Sequence, residues 1–210
     1  MKKLFLALLA VCFFCLPALA AQKTNNIKLP APQLTKGKTI MQALSERQSV
    51  RDWSKKDLDT QTLANLVWAA TGVNRPNGKR TNATAMDLRE IDIYVCNKNG
   101  AYFYNAKKHM LEFITKESCG EDKAPVIIFI TAKAKEDATY PYIDAGIVSE
   151  NIYLFASGMG LATVARGTMP MDKAKIAKLL KLGADTKLIL NHPVGYAQSE
   201  KKDSKKEAKK

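Results

Sequence analysis

The chain has 210 residues and a mass of 23.2 kDa, with 46% hydrophobic and 25% charged residues. That length holds one sizeable domain, and the composition excludes a disordered chain, a collagen-like fibre and a multi-span membrane protein. Thirty-three Lys and Arg against 20 Asp and Glu give a formal charge of +13, which favours anionic partners such as phosphates.

Residues 1–20 read as a secretory signal peptide outside the fold. Lys2 and Lys3 precede an apolar run over residues 4–16. Pro17 then breaks the run, and Ala18-Leu19-Ala20 puts small residues where a signal peptidase reads them. The run is short for a membrane span, so no stable membrane insertion is expected. Cys12 and Cys15 follow bulky Val11 and Phe14, unlike a lipoprotein signal, and no twin-arginine pair is present. Export by the general secretory route is therefore predicted, giving a periplasmic or secreted chain that begins near Ala21. Losing Lys2 and Lys3 takes the charge from +13 to +11 and leaves Cys96 and Cys119 as the cysteines. In an oxidising compartment they are either a disulfide or two thiols. Beyond the expected signal peptide there is no CxxC spacing, and with His109 and His192 as the histidines no metal site is expected.

Residues 21–37 are polar, carry Pro30 and Pro32, and read as an extended lead-in to a domain spanning 38–199. A short helix is predicted over 39–46. A better one spans Thr60–Thr71, with Leu63, Leu66, Val67 and Ala70 at helical spacing, Thr60 as cap and Gly72 as stop. Residues 73–85 form a polar loop, long enough to suggest a role. Residues 91–95 and 101–104 form a hairpin across Asn97-Lys98-Asn99-Gly100. Residues 125–131 are continuously apolar, as in a central strand. Residues 144–158 are apolar nearly all round and predict a buried helix. An amphipathic helix over 172–182 has Asp172 as cap and Gly183 as stop. Residues 187–190 are the last strand candidate, closing on Pro193-Val194-Gly195-Tyr196. Strands and helices do not alternate regularly, so the fold class is α+β. Residues 200–210 hold six lysines and three acids and read as a solvated tail.

Arg47-Gln48-Ser49-Val50-Arg51 follows the first helix, and its two guanidiniums and hydroxyl can converge on a phosphate. The small polar run Arg80-Thr81-Asn82-Ala83-Thr84-Ala85 lets backbone approach a ligand closely. In Gly158-Met159-Gly160-Leu161-Ala162-Thr163-Val164-Ala165-Arg166-Gly167, the Gly-x-Gly closes a helix instead of opening one, so it is no dinucleotide fingerprint. The turn at Arg166-Gly167 can aim backbone N–H groups at a planar ligand.

In this order, these motifs resemble the nitroreductase family of flavin mononucleotide (FMN) enzymes. Glu46 to Trp53 looks like that family's phosphate-binding motif. The run from Leu66 to Pro76, continued by Arg80-Thr81, is similar to its branch of azoline-oxidising (SagB-type) dehydrogenases. Gly160-Leu161-Ala162-Thr163-Val164 and Pro193-Val194-Gly195-Tyr196 match later core motifs. The resemblance implies an α+β sandwich, a mainly antiparallel sheet flanked by helices, assembled as a homodimer with FMN at the interface. It implies that Arg47, Ser49 and Arg51 hold the phosphate and ribityl chain with Gln48 beside them. Asn82, Ala83 and Thr84 would lie along the ribityl or pyrimidine side from either subunit. Arg166 and Gly167 would meet the ring, with the Gly167 amide near N5. A basic residue near the C-terminus would join the phosphate, with Lys201 and Lys202 as candidates. No general acid is identifiable, since the cofactor carries the redox chemistry.

The leading expectation is hydride transfer from reduced nicotinamide through flavin N5 to a nitroaromatic, quinone or similar acceptor. Two alternatives stay open: a flavin-dependent dehydrogenase of a small heterocycle, and an exported flavin-binding protein without turnover. Nucleic acid is not expected, because no aromatics interleave with the lysines.

Overall fold

The computed structural model describes residues 25–119, 123–134, 138–167 and 172–198. The signal peptide expected at 1–20 and the tail at 200–210, with Lys201 and Lys202, lie outside the described residues. In chain order the elements are β1 (Ile27–Lys28), α1 (Ile40–Glu46), α2 (Thr60–Thr71), β2 (Ile91–Asn97), β3 (Gly100–Asn105) and β4 (Met110–Thr115). They continue with β5 (Val126–Lys133), α3 (Tyr140–Met159), β6 (Leu161–Thr163), α4 (Lys173–Leu179) and β7 (Thr186–Tyr196). The strands form one seven-stranded sheet in the order β1-β4-β3-β2-β5-β7-β6, and every neighbouring pair is antiparallel.

β5 is buried from Val126 to Ala132, which its unbroken apolar sequence requires of a strand covered on both faces. On one face, Ile93, Val95, Ile128 and Ile130 pack with Leu66 and Val67 of α2 and Val148 and Ile152 of α3. On the other, Ile127 and Phe129 meet Ile176, Leu179 and Leu180 at α4. A third cluster joins Trp53, Ala124, Ala162 and Val164 near the sheet edge. The β2–β3 hairpin turns at Lys98-Asn99 as predicted. A side chain at Gly100, whose φ is +129°, would come within 2.1 Å of Thr115 O. Cys96 and Cys119 form a disulfide with Cα atoms 6.1 Å apart, which resolves the alternative left open by spacing.

Three local readings are corrected. Asp59, not Thr60, caps α2. Its carboxylate accepts the Thr62 N–H, the Thr62 hydroxyl and the Tyr196 hydroxyl, each at 2.8 Å. The Thr62 backbone bond, then the Thr62 and Tyr196 hydroxyls, hold Asp59 down to about 2. α4 ends at Leu179, with Leu180 as its C-cap, instead of stopping at Gly183. Lys181 takes the left-handed conformation (φ 54°) and donates to Lys178 O, while Leu182 donates to Ala177 O, a Schellman closure. α3 begins earlier than its apolar run and buries only one face. Asp144, Ala145, Val148, Ser149, Ile152 and Ala156 point inward, whereas Tyr142 and Ile143 are exposed. Among the described residues no helix is long and apolar enough to cross a membrane.

Candidate functional site

Tyr153 organises the first candidate site. It sits on α3 where the segment after α1 and the turn after β6 meet. Arg47 closes α1 by leaving helical geometry (ψ 122°), and Val50 N–H then donates to Thr163 O at 2.9 Å, tying this segment to β6. That tie places Ser49 Oγ 2.9 Å from the Tyr153 hydroxyl and the Arg47 guanidinium 5.2 Å from the centre of its ring. From the other side the Ala165 N–H donates to the same hydroxyl at 2.8 Å. Arg166 exchanges both backbone hydrogen bonds with Asn191, each 2.9 Å, and its guanidinium stands 5.6 Å over Trp53. The Trp53 indole in turn donates to Ala162 O at 2.9 Å.

Beneath Tyr153 lies His192, fully buried, with its ring edge-on at 5.1 Å. Burial holds its imidazole down to about 3, so it is neutral. A neutral imidazole has one donor and one acceptor, and these satisfy Ser149 Oγ (2.8 Å at Nε2) and Thr163 Oγ1 (3.1 Å at Nδ1). The histidine therefore fixes α3, β6 and β7 to one another below the site.

The surface above this hub is cationic. Arg47 and Arg166 are half-buried, and Gln48, Ser49 and Arg51 are exposed along the same segment. Neither Arg47 nor Arg51 has a carboxylate partner among the described residues. Gly167 is exposed, and a Cβ built on it would meet nothing within 4 Å. The turn thus presents open space beside its backbone, as close approach of a ligand requires.

Asn82, Ala83 and Thr84 are placed elsewhere. Thr71 donates to Asn82 Oδ1 at 2.8 Å, and Asn82 Nδ2 donates to Ala83 O at 3.0 Å, so this buried side chain is used within the chain. The Ala85 N–H donates to both Asp144 oxygens (3.2 and 3.0 Å), pinning the segment to the first half of α3. Asp144 and Tyr153 stand about 13 Å apart along the helix axis. A single chain therefore brings together Arg47, Ser49, Arg166 and Gly167, with Gln48 and Arg51 alongside, but not the 82–84 segment.

The sequence assigns no site role to Tyr153 or His192, and Trp53 enters only as the end of the Glu46–Trp53 motif. Tyr153 stands in an apolar helical run and reads as core. Its partners Ser49 and Ala165 come from separate segments, so spacing alone carries no signal for it.

The profile of the Nitroreductase family matches residues 44–196. A proposed nitroreductase of Methanocaldococcus jannaschii is 26% identical over 198 residues, covering 82% of this chain and 96% of that protein. The crystal structure of a proposed nitroreductase from Ralstonia eutropha superposes with a TM-score of 0.74 at 31% identity, covering 83% of this chain and 90% of the other. An FMN-dependent nitroreductase from Clostridium difficile shares the fold, with a TM-score of 0.53 at 19% identity over 77% of this chain and 89% of its own.

Proposed function

The chain belongs to the nitroreductase family, and from that premise we propose that it is an exported, homodimeric, FMN-dependent oxidoreductase. The observation that carries the reading is the convergence on Tyr153 of Arg47, Ser49 and the 165–167 turn. Uncompensated guanidiniums at Arg47 and Arg51 suit a phosphate, and the space beside Gly167 suits the edge of a flat ring. The residues present therefore fit FMN. When bound, FMN would supply two-electron redox chemistry at N5, between a reduced nicotinamide as donor and a nitroaromatic, quinone or similar acceptor.

The chain's own residues bind and orient. Arg47 and Arg51 neutralise the phosphate, Ser49 is held by Tyr153 to face the ribityl chain, and Gln48 lies beside it. Gly167 offers its backbone without a Cβ, and the Arg166–Asn191 bridge keeps that turn rigid. Because 82–84 makes no hydrogen bond to the Tyr153 hub among the described residues and Ala85 is tied to Asp144, nine residues before Tyr153, we assign that segment to a second copy, completing the site across the dimer. Ile40, Met41 and Leu44 are exposed on α1, an apolar face suited to that contact. Export rests on Lys2-Lys3, the apolar run and Ala18-Leu19-Ala20, and the Cys96–Cys119 disulfide is in keeping with an oxidising compartment.

The test is a purified mature protein under anaerobic conditions. It should be yellow, dimeric by light scattering, and bleached by NADH or NADPH. Yellow protein that neither donor bleaches identifies a flavin-binding protein without turnover. A colourless protein that refuses added FMN ends the proposal.

A further inference from the structure

We infer that a second, cationic cavity on this chain receives the anionic substituent of an aromatic electron acceptor, an inference that rests on the flavin-dependent reading above. The cavity holds about 270 Å³ between the 75–80 turn and the 82–91 segment. Arg75, Lys79, Arg80 and Arg89 line it, with Asp87 as the one carboxylate among the lining residues.

Three of these cations are already set by the chain. Arg75 donates to Asn74 Oδ1 at 3.0 Å and to Arg80 O at 2.7 Å. Arg80 donates to Ile91 O at 2.6 Å and Thr71 Oγ1 at 3.2 Å and stands 4.0 Å from an Asp92 oxygen. Arg89 grips both oxygens of Asp87, at 2.9 and 2.8 Å. Lys79 differs: it is half-buried, and its ammonium makes no hydrogen bond or close ion pair among the described residues, though its charge is felt by Asp87. With Arg89 paired to Asp87 and Arg80 to Asp92, Arg75 and Lys79 add positive charge to so small a space without an ion pair among the described residues, and a bound anion offsets it.

The backbone points the same way. Met86, Asp87 and Arg89 have φ of 50°, 58° and 53°, the left-handed region that residues with a Cβ rarely occupy. Strained residues of this kind concentrate at ligand clamps, and here they hold the Asp87–Arg89 pair beside Lys79. Asn82, Ala83 and Thr84 line the same cavity, so an acceptor meeting the flavin along that segment presents its substituent to the four cations. The volume suits a sulfonate or carboxylate with part of a ring and is too small for a whole dinucleotide. In the reaction a quinone sulfonate gains a hydride equivalent from the reduced flavin and a proton from solvent to become the quinol. The sulfonate keeps its charge and is only held.

The first readout is binding without turnover. Calorimetric titration compares naphthalene-2-sulfonate with its uncharged isostere, naphthalene-2-sulfonamide. Wild type should bind the sulfonate roughly fivefold tighter or better, a factor in keeping with a partly exposed charge. Lys79→Gln should remove most of that preference, Lys79→Arg should restore it, and the exposed control Lys107→Gln should leave it intact. The second readout is reoxidation of photoreduced protein by 1,4-naphthoquinone and by its 2-sulfonate. Lys79→Gln should slow the sulfonate about five- to tenfold and the parent quinone less than about twofold. Equal binding of the two naphthalenes by wild type, or equal losses for the two quinones, overturns the inference. A protein without flavin would instead fail the reading above, while the titration still decides the anion site.

Discussion

Replacing Tyr153 by Phe removes one oxygen and leaves the ring, so its effect can be worked out contact by contact. The ring's edge-on contact with His192 at 5.1 Å and its face under Arg47 at 5.2 Å are retained. The Ala165 N–H loses its 2.8 Å acceptor, and Ser49 loses its 2.9 Å partner. An orphaned, partly buried N–H costs about 1–2 kcal/mol, whereas exposed Ser49 can turn to water at little cost. For a domain of this size each kcal/mol moves Tm by about 2–4 °C, so a fall of about 2–8 °C is expected without ligand. FMN affinity should fall roughly three- to tenfold, because the segment bearing Ser49 and the 165–167 turn lose their common anchor. Thermal unfolding and FMN fluorescence titration measure the two effects. In a double-mutant cycle with Ser49→Ala, the coupling should be about 0.5–1.5 kcal/mol. An unchanged Tm with unchanged FMN affinity would refute the role given to the hydroxyl.

His192 makes stability pH-dependent. Its folded pKa of about 3 lies below the ordinary 6.5, so the unfolded chain takes up the proton first. Stability from this group is complete above pH 6.5 and falls by about 1.4 kcal/mol per unit as pH drops toward 3. Urea midpoints at pH 7 and 5 should therefore separate more for wild type than for His192→Gln, and equal separations would count against a buried neutral imidazole. Removing the Cys96–Cys119 disulfide, which spans 23 residues of sequence, should cost about 3 kcal/mol, read as a lower urea midpoint for the Cys96→Ala/Cys119→Ala variant. No shift, or an intact mass equal to the reduced value in wild type, would exclude the bridge. At Gly167 a Cβ meets nothing in the chain, so Gly167→Val should leave Tm without ligand unchanged. It should slow single-turnover bleaching by NADH or NADPH about a hundredfold at saturating FMN, since an ångström of displacement has that effect. Bleaching at the wild-type rate would make Gly167 an ordinary turn glycine.

Local patterns made α2, the β2–β3 hairpin and β5 legible in the sequence, because each announces itself by period, turn residues or an unbroken apolar run. β4 and β1 were not read. Met110–Thr115 shows no alternation, and the two residues of β1 become a strand only by pairing with it. β6 takes its place beside β7 only through a long-range register. The cap at Asp59 was missed by one residue because Thr60 is an equally good capping type and only the fold selects between them. At Lys181 tertiary packing put a lysine where propensity favours glycine. The Arg47–Arg51 motif and the Arg166-Gly167 turn were legible as chemistry. Their meeting at Tyr153 was not, because it arises from the packing of α3 against β6 and β7.

The phosphate grip assigned to Arg47 and Arg51 is tested most directly by titrating FMN and riboflavin into wild type, Arg47→Ala, Arg51→Ala and the double variant. Each charge-assisted bond is worth about 1.5–3 kcal/mol, so each single change should weaken FMN roughly ten- to a hundredfold. The double variant should lose its flavin on purification. Riboflavin, which has no phosphate, should bind wild type poorly and respond little to either change. Equal losses for FMN and riboflavin would contradict the account, placing the two arginines in the support of the fold and the phosphate elsewhere.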